Sequence, residues 1–159
     1  MPPRAMDYNN DAANGLASEK IRGSKDRNYD LEERLLLFAV GVIDVSEKLP
    51  NTRAGNHLAG QLLRSGTSPY GNHGEAQAPE SSEDFIHKMK VCLKELREVR
   101  RWSRLIDRKR WLGQDRDLAF LLREAEELVR IFKASVQTAE RNRLARRQAR
   151  TSHNNPSNV

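Results

Sequence analysis

From residue 31 to residue 139, large apolar side chains recur at alternating spacings of three and four. A period near 3.6 gathers such positions on one side of a helix, whereas a half-buried strand alternates every second residue. Leu31, Leu35, Phe38, Val42, Val45 and Leu49 form a first stripe. Leu58, Leu62 and Leu63 belong to a second. Phe85, Met89, Cys92, Leu96, Val99, Ser103 and Ile106 form a third. Leu118, Leu122, Ala125, Val129, Phe132, Val136 and Ala139 form a fourth, widened by Leu121 and Leu128. No strand pattern competes with them. One amphipathic helix cannot bury its own stripe, but four with short connections can share a core. The expected fold is all-α, an antiparallel four-helix bundle.

Capping and breaking residues divide the rhythm. Asp30 is expected to cap a first helix to Lys48, with Glu33 three residues on as in a capping box. Pro50 stops it. The second helix opens at Thr52, and Gly66 and Pro69 predict a kink or break within it. Ser81 or Ser82 caps the third helix. Asp115 or Asp117 caps the fourth, which is expected to reach Arg143. The bundle then occupies residues 29–143. Residues 1–28, with Asn9, Asn10, Asn14, Gly15 and Gly23, read as a disordered tail. Residues 144–159, with Arg146, Arg147 and Arg150 ahead of a polar run, read as a disordered basic tail.

A chain of 159 residues suits one domain with a real core. No stretch approaches the about 18 consecutive apolar residues of a membrane span. The opening Met1-Pro2-Pro3-Arg4 lacks the apolar centre of a signal peptide. The lone Cys92 allows no internal disulfide and no thiolate metal cluster. A cytoplasmic location is expected. Lys plus Arg number 28 against 22 Asp plus Glu, for a net charge of +6. The excess belongs to the second half: residues 79–110 carry ten basic and six acidic side chains, and residues 111–159 nine and six.

Two further stripes fall outside the expected core. On the first helix, Leu36, Val40 and Ile43 recur on the side opposite Leu35, Phe38 and Val42, where a bundle helix should be polar. Such a patch predicts a subunit interface, unless the tail or the end of the second helix covers it. On the third helix, Lys90, Lys94, Arg97, Arg101, Arg104 and Arg108 form an outward basic ridge. At about 1.5 Å per residue it is roughly 27 Å long. It suits a phosphate backbone, though acidic side chains of a partner protein would fit the same charge.

Chemistry-bearing residues are sparse. His57, His73, Glu75, Glu80, Asp84 and His87 cluster in sequence, but there is no HExxH, P-loop or GxGxxG. No catalytic residue, metal or cofactor is predicted, and no enzymatic activity. Cys92 lies in an apolar stripe and reads as a small buried hydrophobe. Trp102 and Trp111 fit packing at helix ends better than base stacking.

The order of short blocks is itself recognisable. Leu63-Arg64-Ser65-Gly66-Thr67-Ser68, followed by Gly74-Glu75-Ala76, resembles a signature of four-helix-bundle proteins encoded in 23S rRNA intervening sequences. So do Asp84-Phe85-Ile86-His87-Lys88-Met89-Lys90 and Leu93-Lys94-Glu95-Leu96-Arg97-Glu98. The resemblance spans roughly residues 29–140 and departs at Pro69-Tyr70-Gly71-Asn72-His73, where the family pattern is closer to Val-Gly-Ala-Asn-Tyr. That group is similar to the accessory variability determinants of diversity-generating retroelements. The resemblance implies a ring-like homo-oligomer, a pentamer, that binds RNA and a reverse transcriptase. It also carries Lys88, Lys90, Lys94 and Arg97 over as a basic surface. The function expected is a non-enzymatic oligomeric bundle binding RNA or a reverse-transcriptase-like protein. A protein-interaction scaffold and a metal-assisted nuclease are the rival expectations.

Overall fold

Each apolar stripe becomes the inner side of a helix, except that Leu63 of the second stripe turns outward and is exposed. The computed structural model describes residues 25–153, with side chains for 30–152. In order these residues form α1 (Lys25–Lys48), α2 (Arg53–Ala76), α3 (Ser82–Lys109) and α4 (Arg116–His153). No strand occurs among the described residues. The core holds Leu35, Phe38, Val42 and Val45 from α1, Leu58 and Leu62 from α2, and Met89, Cys92, Leu96, Val99 and Ile106 from α3. From α4 come Leu118, Leu121, Ala125, Leu128, Val129, Phe132 and Val136.

The helices contact one another in a closed cycle: α1 meets α2 and α4, and α3 lies between α2 and α4. Lys48, at the end of α1, reaches Asp115 and Asp117 at the start of α4, at 2.7 and 2.6 Å. Arg34 reaches Glu124 farther along α4, at 2.7 Å. Lys88 in the first turns of α3 meets Glu75 at the end of α2, at 2.8 Å. Lys90 meets Glu140 at 2.6 Å, and Arg100 meets Glu126 at 3.1 Å.

Three caps form where the chain supplies a side-chain oxygen. Thr52 Oγ1 accepts from the Gly55 N–H at 3.1 Å. Ser81 Oγ accepts from the Asp84 N–H at 3.0 Å, and Asp84 Oδ2 reaches back to the Glu80 N–H at 3.1 Å. Asp115 Oδ1 accepts from the N–H groups of Asp117 and Leu118, at 3.0 and 2.9 Å. Each satisfies donors that the first helical turn leaves orphaned.

Three expectations are corrected. α1 begins at Lys25, so Asp30 stands inside the helix and is not its cap. Nothing between Lys25 and Asp30 breaks a helix, and Asp30 sits four residues before Arg34, whose positive charge it favours. α2 runs unbroken through Pro69. Pro69 is fully buried and its carbonyl receives the Cys92 thiol at 3.6 Å, so packing on α3 outweighs the lost backbone donor. α4 continues to His153, ten residues past the expected end at Arg143. Residues 144–150 are Leu, Ala, Arg and Gln, all good helix formers, with no Gly or Pro until Pro156. The rest of the two expected tails, residues 1–24 and 154–159, lies outside the described residues.

Candidate nucleic-acid interface

α3 is gripped on two sides, and its third side faces outward. Ile106, Val99, Leu96, Cys92 and Met89 point to the core. Lys90, Lys94, Arg97, Arg101, Arg104 and Arg108 are all exposed. The six therefore stand along one ridge, where their spacing puts them.

The ridge is not uniform in charge. At its start Lys90 is held by Glu140, and Lys94 lies 3.8 and 3.9 Å from Glu95 and Glu98. The contact with Lys90 holds the Glu140 carboxyl below its usual range. Among the described residues, no carboxylate lies within 4.0 Å of Arg97, Arg101, Arg104 or Arg108. Four guanidinium groups thus face outward with no counter-charge from the described residues. Arg100, the neighbouring arginine, turns inward to α4 and meets both oxygens of Glu126. Lys88 is not on the ridge. It is half-buried on the side facing α2, between Glu75 and Asp84 at 2.8 and 3.6 Å, and the Glu75 contact raises its pKa.

Leu36, Val40 and Ile43 of α1 are exposed at 38%, 45% and 43%. Leu37 is more exposed still, at 53%. Sequence spacing missed it because it stands beside the 36–40–43 row instead of in it. Arg143 and Arg146, expected in a basic extension that could meet the same partner or merely aid solubility, border a shallow cleft at the foot of α3, with Ser81, Ser82 and Phe85. The helical continuation of α4 brings Arg146 there, and the expected tail boundary hid it.

The polar cluster is taken apart by the fold. His73 is buried and packs edge-on to Phe132, with ring centroids 6.1 Å apart. Burial lowers its pKa, against an opposing pull from Glu32. Glu75 is engaged by Lys88, while His57, Glu80 and His87 are exposed. No three His, Cys, Asp or Glu side chains among the described residues are grouped to hold a metal ion. Burial pushes the Cys92 thiol up to about 12, far from a reactive thiolate. Trp102 and Trp111 are half-buried against the core, and the Lys109 ammonium sits 5.4 Å from the Trp111 ring centre. No helix among the described residues is long and apolar enough to cross a membrane.

Known proteins resemble this chain in sequence and in shape. No curated protein matches it. A solved structure from Bacteroides thetaiotaomicron, described as a protein of unknown function from the S23 ribosomal protein family, has a similar fold. It shares 26% identity over 70% of this chain and 98% of its own, with a TM-score of 0.62. The sequence profile of the 23S rRNA-intervening sequence proteins matches residues 27–134, from the first turn of α1 into α4. Because that match covers more than half of the sequence, the chain belongs to the 23S rRNA-intervening sequence protein family.

Proposed function

We propose that this protein is a non-enzymatic, cytoplasmic RNA-binding bundle that works as a ring-like homo-oligomer. Its helices run antiparallel, a reading supported by the end-to-start contacts of Lys48 with Asp115 and of Lys88 with Glu75. RNA lies along α3. The observation that carries this reading is the row Arg97, Arg101, Arg104 and Arg108, outward and with no counter-charge among the described residues. Guanidinium groups bind phosphate bidentately, and displaced counterions make such binding sensitive to salt. Lys90 and Lys94, already near carboxylates, add less. A ring repeats a weak patch several times and raises avidity. A pentamer is the assembly that the resemblance to accessory variability determinants suggests, with a reverse-transcriptase-like protein as a second partner.

The test is fluorescence anisotropy with a labelled structured RNA at two salt concentrations. Reversing Arg97, Arg101 and Arg104 together to Glu is expected to weaken binding at least about tenfold and flatten the salt dependence. Circular dichroism should show unchanged helicity. Unchanged affinity would reject the α3 ridge as the RNA surface.

A further inference from the structure

Among the described residues, most of the exposed large apolar side chains stand on two adjacent helices; Leu105 of α3 and Leu144 of α4 are the others. α1 carries Leu36, Leu37, Val40 and Ile43, and α2 carries Leu63 and Tyr70. The α1 face has a rim of one sign. Glu32 and Glu33 lie four and three residues before Leu36, Asp44 four after Val40, and Glu47 four after Ile43. All four are exposed neighbours of the apolar row. Two basic residues of α1 are turned away from it: Arg34 reaches Glu124 on α4, and Lys48 reaches Asp115, the cap of α4.

The outward face of α2 is its complement. Gly60, Leu63, Thr67, Tyr70 and Gly74 recur at spacings of three and four, with Gly71 beside them, and all are exposed. Its exposed charges at the rim include Arg53 and Arg64, the latter in a loose 3.4 Å contact with Glu98 of α3, and its single acid, Glu75, is engaged by Lys88. The glycines of α2 fall into two groups. A Cβ on Gly55 would collide with Pro50, and a Cβ on Gly66 with Val42, so packing within the chain explains both. A Cβ on Gly60, Gly71 or Gly74 would meet nothing within 4 Å. No packing among the described residues accounts for three helix-weakening residues on an outward face. They leave the α2 backbone bare, so that another helix can approach closely.

We propose that the α1 face of one copy seats on the α2 face of the next. Leu36, Val40 and Ile43 enter the hollow left by Gly60, Gly71 and Gly74, while Leu63 and Tyr70 close over them. Arg53 then meets the carboxylates that rim α1, and Arg64 adds less because Glu98 already lies 3.4 Å from it. The surfaces differ, so the contact is head-to-tail. They lie on adjacent helices of the bundle, not on opposite ones, so successive copies turn and can close into a ring. This inference rests on the oligomeric reading above and names its two surfaces.

Light scattering separates the possibilities. Replacing Gly60, Gly71 and Gly74 by Gln should leave the isolated fold intact, since each side chain enters open space. Helicity should be equal or higher, yet the assembly should fall to the 18.2 kDa chain. Val40→Asp should dissociate it too. For partner identity, the chain carrying Val40→Cys and Thr67→Cys is treated with a bismaleimide; Cys92 is buried and stays silent. A cross-linked ladder up to the native mass is expected, with Val40→Cys alone giving none. Dimers from Val40→Cys alone would mean that α1 meets α1, and would overturn the head-to-tail pairing. A glycine variant that keeps the wild-type assembly mass would overturn the role of α2 and leave oligomerisation standing. A wild-type chain that is already 18.2 kDa, with residues 1–24 covering α1, would reject both readings.

Discussion

Gly66 and His73 show how little room the interior allows. A Cβ on Gly66 would press into both methyl groups of Val42, so this position fixes how near α1 and α2 can come. Seven residues on, the His73 Nε2 lies 3.1 Å from the Gln77 amide nitrogen. An amide N–H can only donate, so Nε2 accepts and the ring proton sits on Nδ1. Nδ1 is buried, with no partner among the described residues. The folded chain therefore holds this ring neutral, and its pKa falls below the ordinary 6.5 because of burial. An unfolded chain takes up that proton at about 6.5. The stabilising effect is complete above this value and is lost as pH falls toward the lower folded pKa, with a slope of at most about 1.4 kcal/mol per pH unit. Denaturant melts from pH 7.5 to 5.5 should show declining stability in the wild type. His73→Gln should have a flatter profile. Equal slopes would remove His73 as the cause.

Among the elements, α4 depends on one side chain for two tasks. Asp115 Oδ1 caps the helix, while Oδ2 receives Lys48 at 2.7 Å. The Lys48 contact is the main reason its carboxyl stays below its ordinary pKa. Asp115→Ala removes both functions and should cost about 1–2 kcal/mol in a denaturant melt. Asp115→Asn keeps an oxygen for the cap and should cost well under that, since exposed ion pairs contribute little. Equal losses would mean that the ion pair, not the cap, carries the effect. This cap was legible to within a choice of Asp115 or Asp117, and the next to within Ser81 or Ser82; the start near Thr52 and the stripes, Leu63 apart, were legible too, because each depends on neighbours a few residues away. The basic ridge was legible for the same reason. Pro69 was misread because its tolerance comes from α3, not from its own helix. Asp30 was misread because a good cap residue is also an acceptable helix residue when the preceding turn stays helical. The counter-charges of Lys90 and Lys94 were only partly legible: Glu140 lies on a different helix, fifty residues away.

At the scale of the molecule, the four seams of the bundle are unequal. α3 packs extensively on both α2 and α4, whereas the contact of α1 with α4 is the thinnest of the four. Arg34 and Lys48 hold that seam at two points, and both pairs are partly exposed, so they add little strength. Unequal seams imply an order of opening. α1 should detach while α2, α3 and α4 stay packed, as a cooperative unit of lower free energy. Hydrogen exchange under native conditions should find the amides of Leu35, Phe38 and Val42 exchanging through a smaller opening than those of Cys92, Leu96 and Val99. Uniform protection would mean a bundle that opens only as a whole. The helix with the most apolar surface facing outward is then also the one least tied to its own chain, and exchange between copies would tell when that helix is let go.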